Sequence, residues 1–209
     1  MIEGQDVIIC GTGPSLRGFD FGLLEGRTVI AINEAHRFCP GAAMLWWSDA
    51  DYWRRAWPTL MAHEALIKET LDLDYREGEL PPGVARLTVT GPHGFDPEPG
   101  HIRHGHNSAF AAMHRAIALG ARSIVLLGVD MCHAPDGRAH FHTSERAWCP
   151  QDTFENLMVP AFATLVPALA ERGISVLNGS PESRLEIWPR MTPAEALAGE
   201  SLDRTAEPG

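Results

Sequence analysis

The chain has 209 residues, is 44% hydrophobic and carries a formal net charge of −10. This length suits one α/β domain, and the negative charge without a Lys/Arg cluster argues against nucleic acid as a partner. No apolar stretch approaches the roughly 20 residues of a membrane span, and no signal peptide is evident, so we expect a cytoplasmic protein without a transmembrane segment.

The first predicted element is an apolar strand at 6–10 that breaks into Gly-Thr-Gly-Pro-Ser. Gly11 and Gly13 have no Cβ and allow the backbone to approach an anion, while Pro14 sets the exit angle and Ser15 caps the next turn. A tight turn without a ligand is the alternative, because a third glycine and a P-loop Lys-Ser/Thr are missing. The predicted nucleotide contacts in this loop are Gly11, Thr12, Gly13, Pro14 and Ser15.

Apolar runs of strand length alternate with helical patterns along the chain, which predicts an α/β, Rossmann-like doubly wound fold with a mostly parallel sheet sandwiched by helices. Pro160 and Pro167 predict a kink in the last long helix. The expected strands are 6–10, 27–32, 42–48, 84–89, 123–128 and 174–177, and the expected helices are a short one after Ser15, then 34–38, 52–66, 108–119 and 153–172.

Two irregular stretches, 90–105 and 132–150, interrupt this alternation. Loops of this length in a compact domain are usually functional or mobile, so both are candidate lids. We expect one nucleotide-binding domain over 1–190 and a partly disordered tail over 191–209. The four cysteines lack a Cys-x-x-Cys spacing, which favours reduced thiols.

Polar residues that follow the strands are the next candidates for the site, because ligands of parallel sheets bind at the carboxyl ends of the strands. Asn33 and Asp130 each follow an apolar run, and Asn107 and Ser108 begin a helix whose N-terminus favours a phosphate. The alternatives are a turn role for Asn33 and simple helix capping for Asn107 and Ser108.

Asp49 and Asp51 form an Asp-x-Asp pattern after the Met-Leu-Trp-Trp run. Paired carboxylates supply the oxygen ligands that Mg²⁺ requires, so the pair is a candidate metal site. Capping of the following helix by Asp49 is the alternative.

Eight of the ten histidines lie between His93 and His142. Imidazole suits proton transfer near neutral pH, so His140 or His142, in the second candidate lid, is the predicted general base. Neither histidine cluster has a regular zinc spacing, and a surface role for the pair stays open.

Three blocks of sequence carry a family resemblance: Ile-Ile-Cys-Gly-Thr-Gly-Pro-Ser-Leu, Ala-Ile-Asn-Glu-Ala, and the segment from Asn107 to Asp130. They resemble a superfamily that joins the bacterial lipo-oligosaccharide sialyltransferases of glycosyltransferase family 42 and the 6-hydroxymethylpterin diphosphokinase-like proteins. The resemblance implies a Rossmann-like fold with a nucleotide in its crevice.

The sialyltransferase pattern implies that the 11–15 loop, Asn33, Asn107 and Ser108 contact CMP-sialic acid. It implies that Asp130 closes the strand beside the nucleotide and that His142, or with a poorer match His140, is the base. No cofactor is implied, and the acceptor is a glycan or small molecule. The chain departs from the pattern at Thr12, where the family has Asn, and at Cys132, because the tyrosines that assist the leaving phosphate are missing.

Three functions follow from the sequence. The first is a sialyltransferase-like glycosyltransferase that uses a nucleotide-activated sugar. The second is a diphosphokinase that uses ATP and Mg²⁺ held by Asp49 and Asp51. The third is a nucleotide-binding protein without turnover, and self-association into a homo-oligomer is a possible addition to each.

Overall fold

The computed structural model describes residues 2–142 and 149–202. Eight strands of this part form one parallel sheet in the order β6-β5-β4-β3-β2-β1-β7-β8. The predicted α/β fold class is therefore confirmed, with a sheet parallel throughout. The strands are β1 (Asp6–Cys10), β2 (Thr28–Ile32), β3 (Met44–Trp47), β4 (Ile67–Leu71), β5 (Ala85–Gly91), β6 (His101–Arg103), β7 (Ser123–Leu127) and β8 (Ser175–Asn178).

Helices cover both faces of the sheet. The 3₁₀ turns Pro14–Leu16, Phe21–Leu24 and Asn33–Arg37 follow β1 and β2, and a π-helical turn spans Phe154–Met158. The α-helices are α1 (Ala50–Ala62), α2 (Ser108–Ala118), α3 (Gln151–Thr153), α4 (Val159–Ala163), α5 (Val166–Glu171) and α6 (Pro193–Leu202).

The central strands are buried on both faces, which explains why their sequences are continuous apolar runs. All five residues of β1 are buried. Val7 and Ile9 pack into one core layer together with α2, and Ile8 and Cys10 pack into the other. Successive side chains of a strand point to opposite faces, so one apolar run supplies both layers.

Two strands were missed by the sequence, and β4 shows why. It contains Lys68 and Glu69, which break the apolar pattern. Glu69 is nonetheless buried, because the guanidinium of Arg115 on α2 pairs with both of its carboxylate oxygens at 2.6 and 2.8 Å. The other missed strand, β6, lies inside the stretch expected to be a lid at 90–105.

The last helical stretch is broken as its prolines predicted: α4 ends at Ala163 and α5 begins at Val166. From Gln151 to Glu171 it is long and apolar enough to cross a membrane by length and composition, with a mean hydropathy of 1.3, which differs from the sequence expectation. Its buried residues recur at helical spacing on one side, as in a helix that packs on a core. They are Ala161, Phe162, Leu165, Ala168 and Leu169.

The C-terminal segment differs from the expected tail. Residues 193–202 form α6, where Ala196 and Leu197 are buried in the layer that contains Leu127 of β7. Small apolar side chains in this helix allow close packing. The sequence prediction of one tail over 191–209 does not single out these side chains. Residues 203–209, and 143–148 of the second candidate lid, lie outside the described part.

Candidate active site

A cavity of about 970 Å³ opens at the carboxyl ends of β1, β2, β3, β4 and β7 and at the start of α2. The sheet order reverses between β1 and β7, because the chain runs outward from β1 to β6 and then returns to the other side of β1. Open α/β sheets bind their ligands at this switch point. Nearly all the predicted site residues line the cavity. They are Gly11, Thr12, Gly13, Asn33, Asp49, Asp51, Asn107, Ser108, Asp130 and His140.

The glycine loop is packed against the end of β7. The N–H of Gly11 donates to the carbonyl of Leu127, and the N–H of Gly13 donates to the carbonyl of Gly128, both at 2.8 Å. A Cβ on Gly11 would lie 2.6 Å from the Gly128 oxygen. The absence of a Cβ therefore allows the loop after β1 to pack closely on the loop after β7. The amides of Gly11 and Gly13 already have acceptors and are not available to bind a phosphate. Contact of the loop with a nucleotide stays a prediction.

Half-buried Ser15 and buried Asp130 join the same two loops. Ser15 donates its N–H to one carboxylate oxygen of Asp130 at 2.8 Å and its hydroxyl to the other at 2.6 Å. Burial raises the pKa of Asp130, and the hydrogen bonds from Ser15 oppose that rise. Pro14 begins the short turn that carries Ser15. Asp130 thus holds the first loop at the end of β7, and its place beside a nucleotide stays a prediction.

The polar side chains at the end of β2 have fewer hydrogen-bond partners than those at the ends of β1 and β7. The amide nitrogen of Asn33 lies 3.5 Å from the hydroxyl of Ser108, which donates to the hydroxyl of Ser48 at 3.0 Å. The side-chain oxygen of Asn33 is buried and has no hydrogen-bond partner among the described residues. A buried acceptor without a donor is costly, so this oxygen is suited to accept a hydrogen bond from a ligand.

Asn107 is occupied by the helix that it precedes. Its side-chain oxygen accepts the N–H of Phe110 at 2.8 Å, and its amide nitrogen donates to the carbonyl of Gly105 at 2.8 Å. It therefore acts as the N-cap of α2. Ser108 and Ala109 follow in the first turn and line the cavity, where the first N–H groups of a helix lack partners within it.

Backbone strain is concentrated around this cavity. Four non-glycine residues of the described part have a left-handed φ, between +50° and +62°, and all four line the cavity. Such conformations disfavour side chains with a Cβ and cluster at functional sites. The four are Asn33, Asp74, His106 and Met131.

Asp49 and Asp51 both line the cavity, at the start of α1. Asp49 is the N-cap residue of α1 without a side-chain cap hydrogen bond, and Asp51 is 87% exposed and pairs with Arg54 at 2.8 Å. Within 2–142 and 149–202, no group of three or more His, Cys, Asp or Glu side chains is arranged to hold a metal ion. Mg²⁺ is commonly held by one or two carboxylates together with substrate phosphates and waters, so a metal role for Asp49 and Asp51 stays a prediction.

The two loop histidines occupy different places. His140 lines the cavity, and its Nδ1 lies 2.9 Å from the hydroxyl of Thr12. His142 stacks on His140 with ring centroids 5.6 Å apart, and its Nε2 lies 3.4 Å from Glu34. His142 is not among the described residues that line the cavity, so the geometry favours His140 for contact with a substrate.

The wall of the cavity is more acidic than basic. Arg54 is the one permanently cationic side chain among the described residues that line it, and it is already bound by Glu79 at 2.7 Å and by Asp51. His104 also lines the cavity, and burial, followed by its neighbours His106 and His93, lowers its pKa. The carboxylates on the wall are Asp49, Asp51, Asp74 and Asp130.

Several lining residues were not singled out by the sequence. Phe154, Leu157 and Met158 come from the π-helical turn, a feature often found at functional sites. No sequence signal marks them, because they reach the cavity only through packing of the last helical stretch. Neither tyrosine of the chain is among the lining residues: Tyr52 contacts His36, and the hydroxyl of Tyr75 accepts the indole N–H of Trp47.

The fold is similar to two solved structures. One is the sialyltransferase CstII from Campylobacter jejuni in complex with CMP-3FNeuAc, with a TM-score of 0.50 and 14% identity over 90% of this chain and 86% of that chain. The other is the sialyltransferase CST-II in complex with a trisaccharide acceptor and CMP, with a TM-score of 0.55 and 15% identity over the same shares. No protein-family model and no curated protein matches the chain. The chain thus shares the α/β fold of these sialyltransferases.

Proposed function

We propose that the chain is a sialyltransferase-like glycosyltransferase that uses a CMP-activated sugar as donor and a glycan as acceptor. The observation that carries this proposal is the meeting of the β1, β2, β3 and β7 ends and the start of α2 at one cavity with His140 on its wall. Its volume of about 970 Å³ is at the upper end for small-ligand sites and leaves room for two substrates. The two structurally similar sialyltransferases bind CMP or a CMP-sugar analogue, and one binds an acceptor.

The charge of the wall favours a CMP-sugar over ATP. Four carboxylates face one guanidinium, which Glu79 and Asp51 already bind. A triphosphate on such a wall requires a divalent cation to offset the repulsion, whereas a monophosphate ester carries far less charge. Both similar solved structures are sialyltransferases, so we propose the transfer of a sugar and not the transfer of diphosphate.

In this proposal, two neighbouring elements bind the nucleotide. The unpartnered side-chain oxygen of Asn33 accepts a hydrogen bond from an amino or hydroxyl group of the donor. The N–H groups at the start of α2, at Ser108 and Ala109, face the phosphate, and the helix dipole favours its negative charge. These groups stabilise the leaving CMP in place of the tyrosines that the sialyltransferase pattern has and this chain lacks.

His140 is the general base of the proposed reaction. Its ring nitrogen takes the proton of the acceptor hydroxyl as the oxygen forms a bond to the anomeric carbon of the sugar. The bond between that carbon and the phosphate oxygen breaks, and CMP leaves with the electron pair. His142 is the weaker candidate, because it lies behind His140 against Glu34.

The test compares His140→Asn with His142→Asn in a transfer assay with CMP-sialic acid and a trisaccharide acceptor. We expect His140→Asn to lower the transfer rate by roughly 100-fold or more and His142→Asn by far less. Both variants should bind CMP as the wild type does, because neither ring is assigned to the nucleotide. A larger loss of transfer rate in His142→Asn than in His140→Asn would contradict the assignment of the base. CMP binding by the wild type without any transfer would contradict the proposed glycosyltransferase activity.

A further inference from the structure

Thr12 contacts the second candidate lid at two adjacent points. Its hydroxyl lies 2.9 Å from Nδ1 of His140, and its carbonyl accepts the N–H of Phe141 at 3.0 Å. The two partners are neighbours in the chain but lie about 130 positions from Thr12. One residue of the first loop therefore fixes both the backbone and the ring at this point of the lid.

The neighbouring Phe141 anchors the lid from its other side. Its ring packs 4.8 Å from the ring of Phe38 and 5.4 Å from the ring of Phe21, measured between centroids. Aromatic contacts of this kind stabilise by about 0.5–1.5 kcal/mol beyond the buried area. With Phe141 held among these rings, the backbone at His140 is restrained, and the hydroxyl of Thr12 is one of the contacts that orient the imidazole.

A neutral imidazole carries its proton on one of two nitrogens, and the partner of the other nitrogen decides which. The hydroxyl of Thr12 can accept from Nδ1–H or donate to a bare Nδ1. In the first tautomer Nε2 has the lone pair that a base requires, and in the second Nε2 carries the proton. The same contact therefore either enables or prevents proton abstraction at Nε2.

We infer that Thr12 is a positioning residue that holds His140 in the tautomer protonated at Nδ1, with Nε2 as the base. The inference rests on the proposed function, which names His140. As the acceptor proton arrives at Nε2, the imidazolium keeps Nδ1–H donating to Thr12, so the ring need not turn during the reaction. Thr12 replaces the Asn of the resembling sialyltransferases, and this role gives the departure a physical reason.

The experiment compares Thr12→Val, which removes the hydroxyl at nearly constant size, with Thr12→Ser, which keeps it. The ¹⁵N chemical shifts of the His140 ring, assigned with His140→Asn, report the tautomer without any substrate. We expect the Nδ1–H form in the wild type and in Thr12→Ser, and a shift toward the Nε2–H form in Thr12→Val. In the transfer assay kcat of Thr12→Val should fall by roughly 10-fold to 100-fold with the donor KM unchanged, and Thr12→Ser should retain most of the activity.

An Nε2–H tautomer in the wild type would overturn the inference whatever the activity. So would a Thr12→Val variant with wild-type kcat, provided that its thermal unfolding shows an intact fold. A failure of the proposed function gives a different result. If His140→Asn still transfers the sugar, His140 is not the base, but the ¹⁵N shifts of the wild type still show whether Thr12 sets the tautomer.

Discussion

The two polar ends of the cavity differ in how many of their hydrogen-bonding groups already have partners within the protein. At the end formed by β1 and β7, Ser15 donates two hydrogen bonds to the carboxylate of Asp130, and the amides of Gly11 and Gly13 donate to the carbonyls of Leu127 and Gly128. At the end formed by β2 and α2, Asn33 has a left-handed backbone and a buried side-chain oxygen that accepts no hydrogen bond from residues 2–142 and 149–202. The amides of Gly11 and Gly13 are therefore used within the fold, and we expect the nucleotide to bind at the second end.

The largest expected effect is at the satisfied end. Asp130→Ala removes two hydrogen bonds to a carboxylate and leaves the Ser15 N–H without its acceptor, while the Ser15 hydroxyl keeps the Ser180 hydroxyl at 3.1 Å, so we expect a loss of about 4 kcal/mol in the free energy of unfolding. Urea unfolding measures it. Asp51→Ala is the matched control, because that carboxylate is 87% exposed, and it should change nothing measurable. Equal stability of the two variants would contradict the claim that the hydrogen bonds between Ser15 and Asp130 stabilise the fold.

A second prediction concerns α2, which begins at the second end of the cavity and packs in the core layer of Val7 and Ile9 of β1. His114 on α2 is fully buried and accepts the N–H of Asp96 at 3.0 Å, and burial lowers its pKa to about 4. The unfolded chain binds the proton more readily, so stability is complete above about pH 6.5 and falls as the pH drops toward 4.

The expected loss from this group is about 3 kcal/mol over that range. Urea unfolding of the wild type and of His114→Gln at pH 7, 5 and 4 isolates it, because the variant lacks the titrating ring. The variant should lose less stability than the wild type on acidification. Identical pH slopes for the two proteins would refute the assignment to His114.

A smaller effect is expected at Gly13. A Cβ there would lie 2.6 Å from Cγ of Asp130 and 2.7 Å from the Gly128 oxygen, so Gly13→Ala should destabilise the fold by about 2 kcal/mol. Gly41→Ala provides the control, since its Cβ would meet nothing within 4 Å. Thermal unfolding compares the pair. If Gly13→Ala were as stable as Gly41→Ala, the close packing of the two loops would be wrong.

The sequence predicted those strands of the sheet that are marked by a continuous apolar run. The runs at 6–10 and 123–128 are continuously apolar after their first residues, Asp6 and Ser123, and they became β1 and β7. Strand β4 was missed because the charge of Glu69 is neutralised by Arg115, which lies 46 positions later. No local pattern contains that information.

The site was predicted by position more reliably than by role. The carboxyl ends of parallel strands must meet, so Asn33 and Asp130 could be placed at one crevice from sequence alone. Their different roles depend on Ser15, 115 positions from Asp130, and on which acceptors lack donors after folding. The place of His140 in front of His142 likewise depends on Thr12, a partner that spacing along the chain does not reveal.

The most direct test of the account is a calorimetric titration of CMP, without divalent metal, into the wild type and Asn33→Gly. Glycine keeps the left-handed backbone at this position and removes only the side chain. We predict that the wild type binds CMP without metal and that Asn33→Gly binds it roughly 10-fold more weakly with unchanged stability. Absence of CMP binding by the wild type, or equal affinity in the variant, would contradict the assignment of the nucleotide to this end of the cavity.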